Sequence, residues 1–147
     1  MKQRVKRIIF ISVLLLLVLS ISAAIYLYNK GPLDVRSSSG KKVSATELYS
    51  VFMNDSLQAG EAYTSKVLLV TGEVAGLSVN TNKQKIILIK TGLEGAYVNC
   101  TLDEPADNIV PAAEVSIKGI CSGIGQGEPD LGIRGDVYLT RCVIAKK

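Results

Sequence analysis

Apolar and polar positions divide this chain into three regimes. Residues 8–28 form an uninterrupted run of 21 without a charge. As a helix, rising about 1.5 Å per residue, such a run spans about 30 Å, the hydrocarbon thickness of a bilayer. Leucine, isoleucine and valine dominate its first half, and Tyr26 and Tyr28 stand at its far end, where interfacial tyrosines are favoured. A second regime, residues 29–43, holds Gly31, Pro32, a run of three serines and Gly40 among scattered charges, a composition that reads as a flexible tether. The third regime, residues 44–147, carries the periodicities of a folded domain.

That domain opens with a helix. Ser44 and Glu47 fit a capping box, with Val43 and Leu48 placed as a hydrophobic staple. Leu48, Val51 and Phe52 share one helical face, and Gly60 is a plausible stop. The single apolar stripe suits a helix that covers an open end of the domain, with a partner-binding surface as the alternative. The period then changes to that of strands, over residues 66–79, 84–90, 96–102, 114–122 and 136–145. Gly72 and Gly76 lie inside the first strand, as expected where a long strand bends. Residues 103–107, from Asp103 through Pro105 to Asp107, predict a short helical turn between the third and fourth strands. Three strands, a short helix and two strands is the order of a five-stranded OB barrel. The rival is an open antiparallel sheet with packed helices.

The stretch carrying Leu48, Phe52, Asn54, Ala62, Tyr63, Lys66, Gly72 and Val74 resembles the opening of the tRNA_anti-like group of bacterial OB-fold proteins. Two later stretches match in order and spacing: Val115, Gly119, Cys121 and Gly123, then Val137, Leu139, Cys142 and Ile144. The group is named for fold similarity to anticodon-binding domains, so the resemblance implies the barrel and supplies no reaction.

Charge separates the anchor from the domain. The whole chain is +4, yet Lys2, Arg4, Lys6 and Arg7 all precede the apolar run. Residues 44–145 hold seven basic side chains against twelve acidic ones, a net −5. A surface of that sign opposes nucleic acid as a partner. The leading positive charges predict a cytoplasmic N-terminus, membrane lipid around residues 8–28, and a domain on the extracytoplasmic side. The competing reading is a signal peptide cleaved near Ala24, after the small residues Ser22 and Ala23. Both deliver the domain to the same compartment, where the expected partner is an envelope protein.

The chain has no histidine, which removes Ser-His-Asp and Cys-His nucleophile systems and most zinc sites. No catalytic constellation, cofactor or metal is expected. Haem chaperones of cytochrome maturation are membrane-tethered OB domains, but they attach haem through the histidine missing here. Cys100, Cys121 and Cys142 fall in three different predicted strands, open to one disulfide plus a free thiol or to three buried thiols. The glycines at 123, 125, 127, 132 and 135 lack phosphate-loop spacing and read as a mobile hairpin loop. In an OB fold the loops after the first and fourth strands flank the ligand groove. Lys83, Lys85, Tyr97 and Arg134 are therefore the candidate contacts to a sugar or phosphate, with ordinary solvated positions as the alternative. The function expected is a non-catalytic binding or assembly module, or else an oligonucleotide- or oligosaccharide-binding protein using the groove.

Overall fold

A computed structural model describes residues 2–29, 34–106 and 108–145. It separates into two units, one ending at Asp34 and one beginning at Val35.

The first unit is helix α1 (Lys2–Asn29), long and apolar enough to cross a membrane. The basic segment before the apolar run is part of this same helix. Ser12 and Ser20 turn their hydroxyls back onto the carbonyls of Ile9 and Leu16, at 2.9 and 2.8 Å. Their polar groups are thereby satisfied inside the helix, as a lipid environment demands.

The second unit begins earlier than the polar tether suggests. Val35 is only 4% exposed, and strand β1 (Lys41–Ser44) pairs in parallel with the strand that opens the barrel. Residues 35–43 thus belong to the folded unit, and residues 30–33 lie outside the described residues. Helix α2 (Ala45–Asn54) follows, its N-cap Ser44 accepting the Glu47 N–H at 3.1 Å as the capping box requires. The single helix expected to run to Gly60 is two. Asp55 leaves helical geometry and caps helix α3 (Ser56–Tyr63) by accepting the Gln58 N–H at 2.9 Å. Gly60 lies inside α3, which ends at Thr64 instead.

The barrel strands are β2 (Val67–Val79), β3 (Lys85–Lys90), β4 (Tyr97–Leu102), β5 (Glu114–Ile124) and β6 (Val137–Ile144). Each overlaps one of the five strands read from periodicity. They close in the order β2-β3-β4-β6-β5 and back to β2, with β4 and β6 parallel. Closure depends on the length of β2. Its first half, Val67 to Glu73, pairs with β5, and its second half, Val74 to Val79, pairs with β3 across a bulge between Val74 and Gly76. One strand serves two neighbours because the bulge re-aims it, so the sheet has no need of a sixth strand to close. The inward faces supply the core, including Leu68, Val70, Ile87, Ile89, Val98, Ile117 and Leu139, all fully buried.

Helix α2 seals one end of the barrel with Ala45, Leu48, Tyr49 and Phe52. Its placement is marked by Ala45 beside Gly72 and by Thr46 beside Gly92 in the β3–β4 connection. The opposite end differs from expectation. No helix occurs among the described residues of 103–113, and Asp107 of the expected turn lies outside them. Asn108 and Ala112 take left-handed backbone angles, φ +73° and +66°, which a right-handed helix excludes. The backbone bonds go to β2 instead: the Ala112 N–H donates to Val74 O at 2.8 Å and the Val74 N–H to Ala113 O at 2.9 Å.

The three cysteines are buried free thiols. The β5–β6 pairing, with two bulges, sets Cys121 opposite Leu139. The thiols of Cys142 and Cys100 hydrogen-bond, and that bond, then burial, holds the Cys142 thiol well above its ordinary range. Burial raises the Cys121 thiol as well. The Cys121 and Cys142 thiols therefore stay protonated, and all three cysteines pack as small buried side chains.

Tyr49 carries a flaw in this packing. Its ring is 1% exposed and its hydroxyl has no hydrogen-bond partner among the described residues. A buried hydroxyl without a partner costs about 1–3 kcal/mol in desolvation. Tyr49→Phe keeps the ring and removes that cost, so its urea midpoint is expected to equal or exceed that of the parent. A loss of more than about 1 kcal/mol would show that the hydroxyl is bonded in solution.

Candidate functional site

The outer face of β3, β4 and β6 carries a row of partly exposed side chains. Strand alternation sends Ile87, Ile89, Val98 and Cys100 inward and leaves Leu88, Asn99 and Tyr138 facing out. Register then aligns them: Leu88 lies opposite Asn99, and Asn99 opposite Tyr138. Tyr138 is 42% exposed, and its ring edge runs against Gly125. A Cβ at Gly125 would come within 2.7 Å of the Tyr138 ring, so only glycine lets the loop approach it this closely.

A carboxylate anchors the end of this face. Asp136 Oδ1 accepts the Tyr97 backbone N–H at 3.0 Å, and the Asn99 side chain also hydrogen-bonds to it. The Asp136 carboxyl is raised above its ordinary range, because desolvation outweighs those two bonds. Its contribution to stability is therefore full below the unfolded carboxylate range. It declines as pH rises through the native value, since the native state holds the proton longer than the unfolded chain. Asp136→Asn has no such titration. Its stability relative to the parent is expected to improve as pH rises above the ordinary carboxylate range, measured by urea unfolding at each pH. A difference that does not vary with pH would refute that assignment.

The four residues picked from sequence do not converge. Lys83 sits in the β2–β3 turn at φ +62°, its N–H donating to Asn80 O at 3.0 Å. Lys85 shares the inward parity of Ile87 and Ile89, and its Nζ donates to Ala106 O at 2.7 Å. That ammonium ties the β4–β5 connection to β3 and does not reach toward the outer face. Tyr97 does lie on the outer face, opposite Lys90 at the far end of β3, about 17 Å from Lys85 along the strand. Arg134 is exposed in the β5–β6 loop and lies close enough to Tyr49 to act on it electrostatically. The structure thus keeps Tyr97 and Arg134 near one end of the barrel, and Lys83 and Lys85 at the other.

The glycine-rich β5–β6 loop is a tightly bonded arm. The Gly125 N–H donates to Asp136 O at 2.8 Å, and Glu128 pairs with Ile133 across the loop. A Cβ at Gly135 would lie 2.0 Å from Gly125 O, so two backbone segments meet where side chains cannot fit. Leu88, Asn99, Asp136 and Tyr138 lie outside the set of groove contacts that the sequence suggests. Strand alternation over residues 137–144 was the available signal for Tyr138. The Asp136 bond to β4 had none, since it joins residues 39 apart.

The family model described as tRNA_anti-like matches residues 1–131. No curated protein matches the chain. Among solved structures, a protein from Leishmania major Friedlin assigned as an aspartyl-tRNA synthetase aligns at 10% identity and a TM-score of 0.44. The alignment covers 85% of this chain and 26% of that one, and a likeness at that score carries no argument about function.

Proposed function

Since this chain belongs to the tRNA_anti-like family, we propose that it is a non-catalytic OB-fold binding module of the cell envelope, tethered to the cytoplasmic membrane. The observation that carries the reading is the union of a membrane-length apolar helix and a closed barrel in one chain. Lys2, Arg4, Lys6 and Arg7 at the start of α1 favour a cytoplasmic N-terminus, leaving the barrel outside. The absence of histidine from the sequence supports a binding role over hydrolytic chemistry. The partner is an envelope protein meeting the outer face of β3, β4 and β6.

Protease accessibility tests the placement. In intact cells the barrel resists an added protease, and in spheroplasts it is digested while α1 is retained in the membrane. A barrel protected in spheroplasts and digested only after lysis would place it in the cytoplasm and end the reading. The N-terminal sequence of the mature protein distinguishes an anchored chain from one cleaved near Ala24.

A second reading is favoured by the Leu88–Asn99–Tyr138 row, an aromatic ring beside a side-chain amide. That pairing suits the apolar face and the hydroxyls of a sugar. Titration with oligosaccharides and with single-stranded DNA and RNA decides between ligands. Salt-sensitive nucleic-acid binding at micromolar protein would overturn the expectation drawn from the −5 charge of residues 44–145.

A further inference from the structure

The end of the barrel that lacks the expected helix contains a cavity of about 620 Å³. That volume is in the range of small-molecule sites and far above the voids of a packed interior. Its apolar lining comes from Leu102 of β4 and from Cys142, Val143 and Ile144 at the end of β6. One wall is the segment around Arg36 and the other is the connection carrying Glu104, Pro105 and Ala106. Arg36 and Glu104 form an ion pair that joins the two walls. Lys118 is the remaining charged group in the lining.

Lys118 is bonded without being neutralised. Its Nζ donates to Arg36 O at 3.2 Å and to Ser38 O at 3.0 Å, and among the described residues no carboxylate pairs with it. An ammonium has three donors, so two carbonyls leave one N–H and the whole positive charge. With Arg36 and Glu104 cancelling, the lining carries a net charge of +1 beside its apolar residues.

The geometry points to a ligand of matching character: an amphiphile with one negative charge, its headgroup on Lys118 and its chain along Leu102, Val143 and Ile144. This site lies at the opposite end of the barrel from Asp136 and does not depend on the outer-face reading. The shared chemistry, a singly charged anion on an apolar chain, fits a free carboxylic acid or a phosphodiester lipid.

Photolabelling of the full chain in digitonin tests the proposal. The probes are diazirine-bearing dodecanoic acid, the corresponding alcohol, and a diazirine-bearing phosphatidylglycerol. The acid or the phosphodiester is expected to mark peptides containing residues 102–106 and 142–145 at least tenfold more than the alcohol does. Which of the two labels more strongly identifies the source. Lys118→Gln is expected to lower that labelling about tenfold, Lys118→Arg to retain it, and Val143→Trp, at the lining position paired with Lys118, to block it. Equal labelling by acid and alcohol in the unaltered chain would overturn the proposal, whatever the variants do. So would labelling confined to α1, or labelling of the cavity peptides by a folded Lys118→Gln chain at the parental level.

Discussion

Gly119→Ala is expected to lower the stability of the barrel by about 2 kcal/mol, in the range for overpacking a filled core. Gly119 is a buried position on β5 facing β6, and a Cβ there would come within 2.5 Å of Cys142 Sγ and 3.3 Å of Leu139. Its backbone is not in the left-handed region, so the cost is steric. Replacing glycine also restricts the unfolded chain, which offsets about 0.4–1 kcal/mol of the strain. The contact can be isolated. In a Cys142→Ala background the sulfur is gone, and Gly119→Ala is expected to cost at least 1 kcal/mol less than in the parent. Urea midpoints of the four chains, read by pulse proteolysis, give the coupling. Strict additivity would mean that the β5–β6 interface relaxes freely and that Cys142 does not fill the space opposite Gly119. The tRNA_anti-like resemblance included both Gly119 and Cys142, and the structure supplies a physical reason for finding them together: one residue's missing side chain is the other's volume.

Leu48→Ala is expected to cost 2–5 kcal/mol, the range for truncating a fully buried leucine. Leu48 is completely buried in α2, within the cluster that joins Tyr49 and Phe52 to the barrel core. Phe52 in turn stacks obliquely on Tyr63 of α3, with ring centroids 6.3 Å apart. A cavity under α2 removes part of the seal on one barrel end. Exchange of the backbone amides of α2 and α3 is therefore expected to rise more than that of β3 and β4. If the loss fell below about 1 kcal/mol, α2 would be a peripheral helix and not a closure of the barrel. The partner-binding alternative for this helix makes the opposite prediction: little effect on folding.

Much of the architecture was readable from periodicity. The uncharged run over residues 8–28 leaves a helix as the economical way to satisfy its backbone, and α1 covers it. Strand-type composition and periodicity located all five barrel strands, most plainly over residues 96–102, where apolar and polar positions alternate. Ser44 began the helix as its capping chemistry requires. Gly60 misled because an isolated glycine is tolerated in a short helix, whereas Asp55 could cap a new turn with its own carboxylate. The short helix after β4 failed for a different reason. Local preference around Pro105 was overridden when Ala112 and Ala113 found backbone partners on β2.

The candidate site was less legible. Lys83, Lys85, Tyr97 and Arg134 were chosen for their charge, ring and loop position, and none of those properties reports which way a side chain points. Lys85 turns inward to Ala106 because β3 alternates through Ile87 and Ile89. The row of Leu88, Asn99 and Tyr138 exists only where three strands lie side by side, two of them parallel and distant in sequence.

By itself the sequence determined the membrane-length helix and the five strands that close the barrel. Hydrophobic periodicity and composition are local properties, and each of these follows from them. Only the tertiary structure decided which barrel end α2 seals, which end keeps a 620 Å³ cavity, and that Lys118 faces that cavity without a carboxylate partner among the described residues. Those outcomes depend on register, bulges and backbone bonds between segments far apart in the chain, and no run of neighbouring residues encodes them.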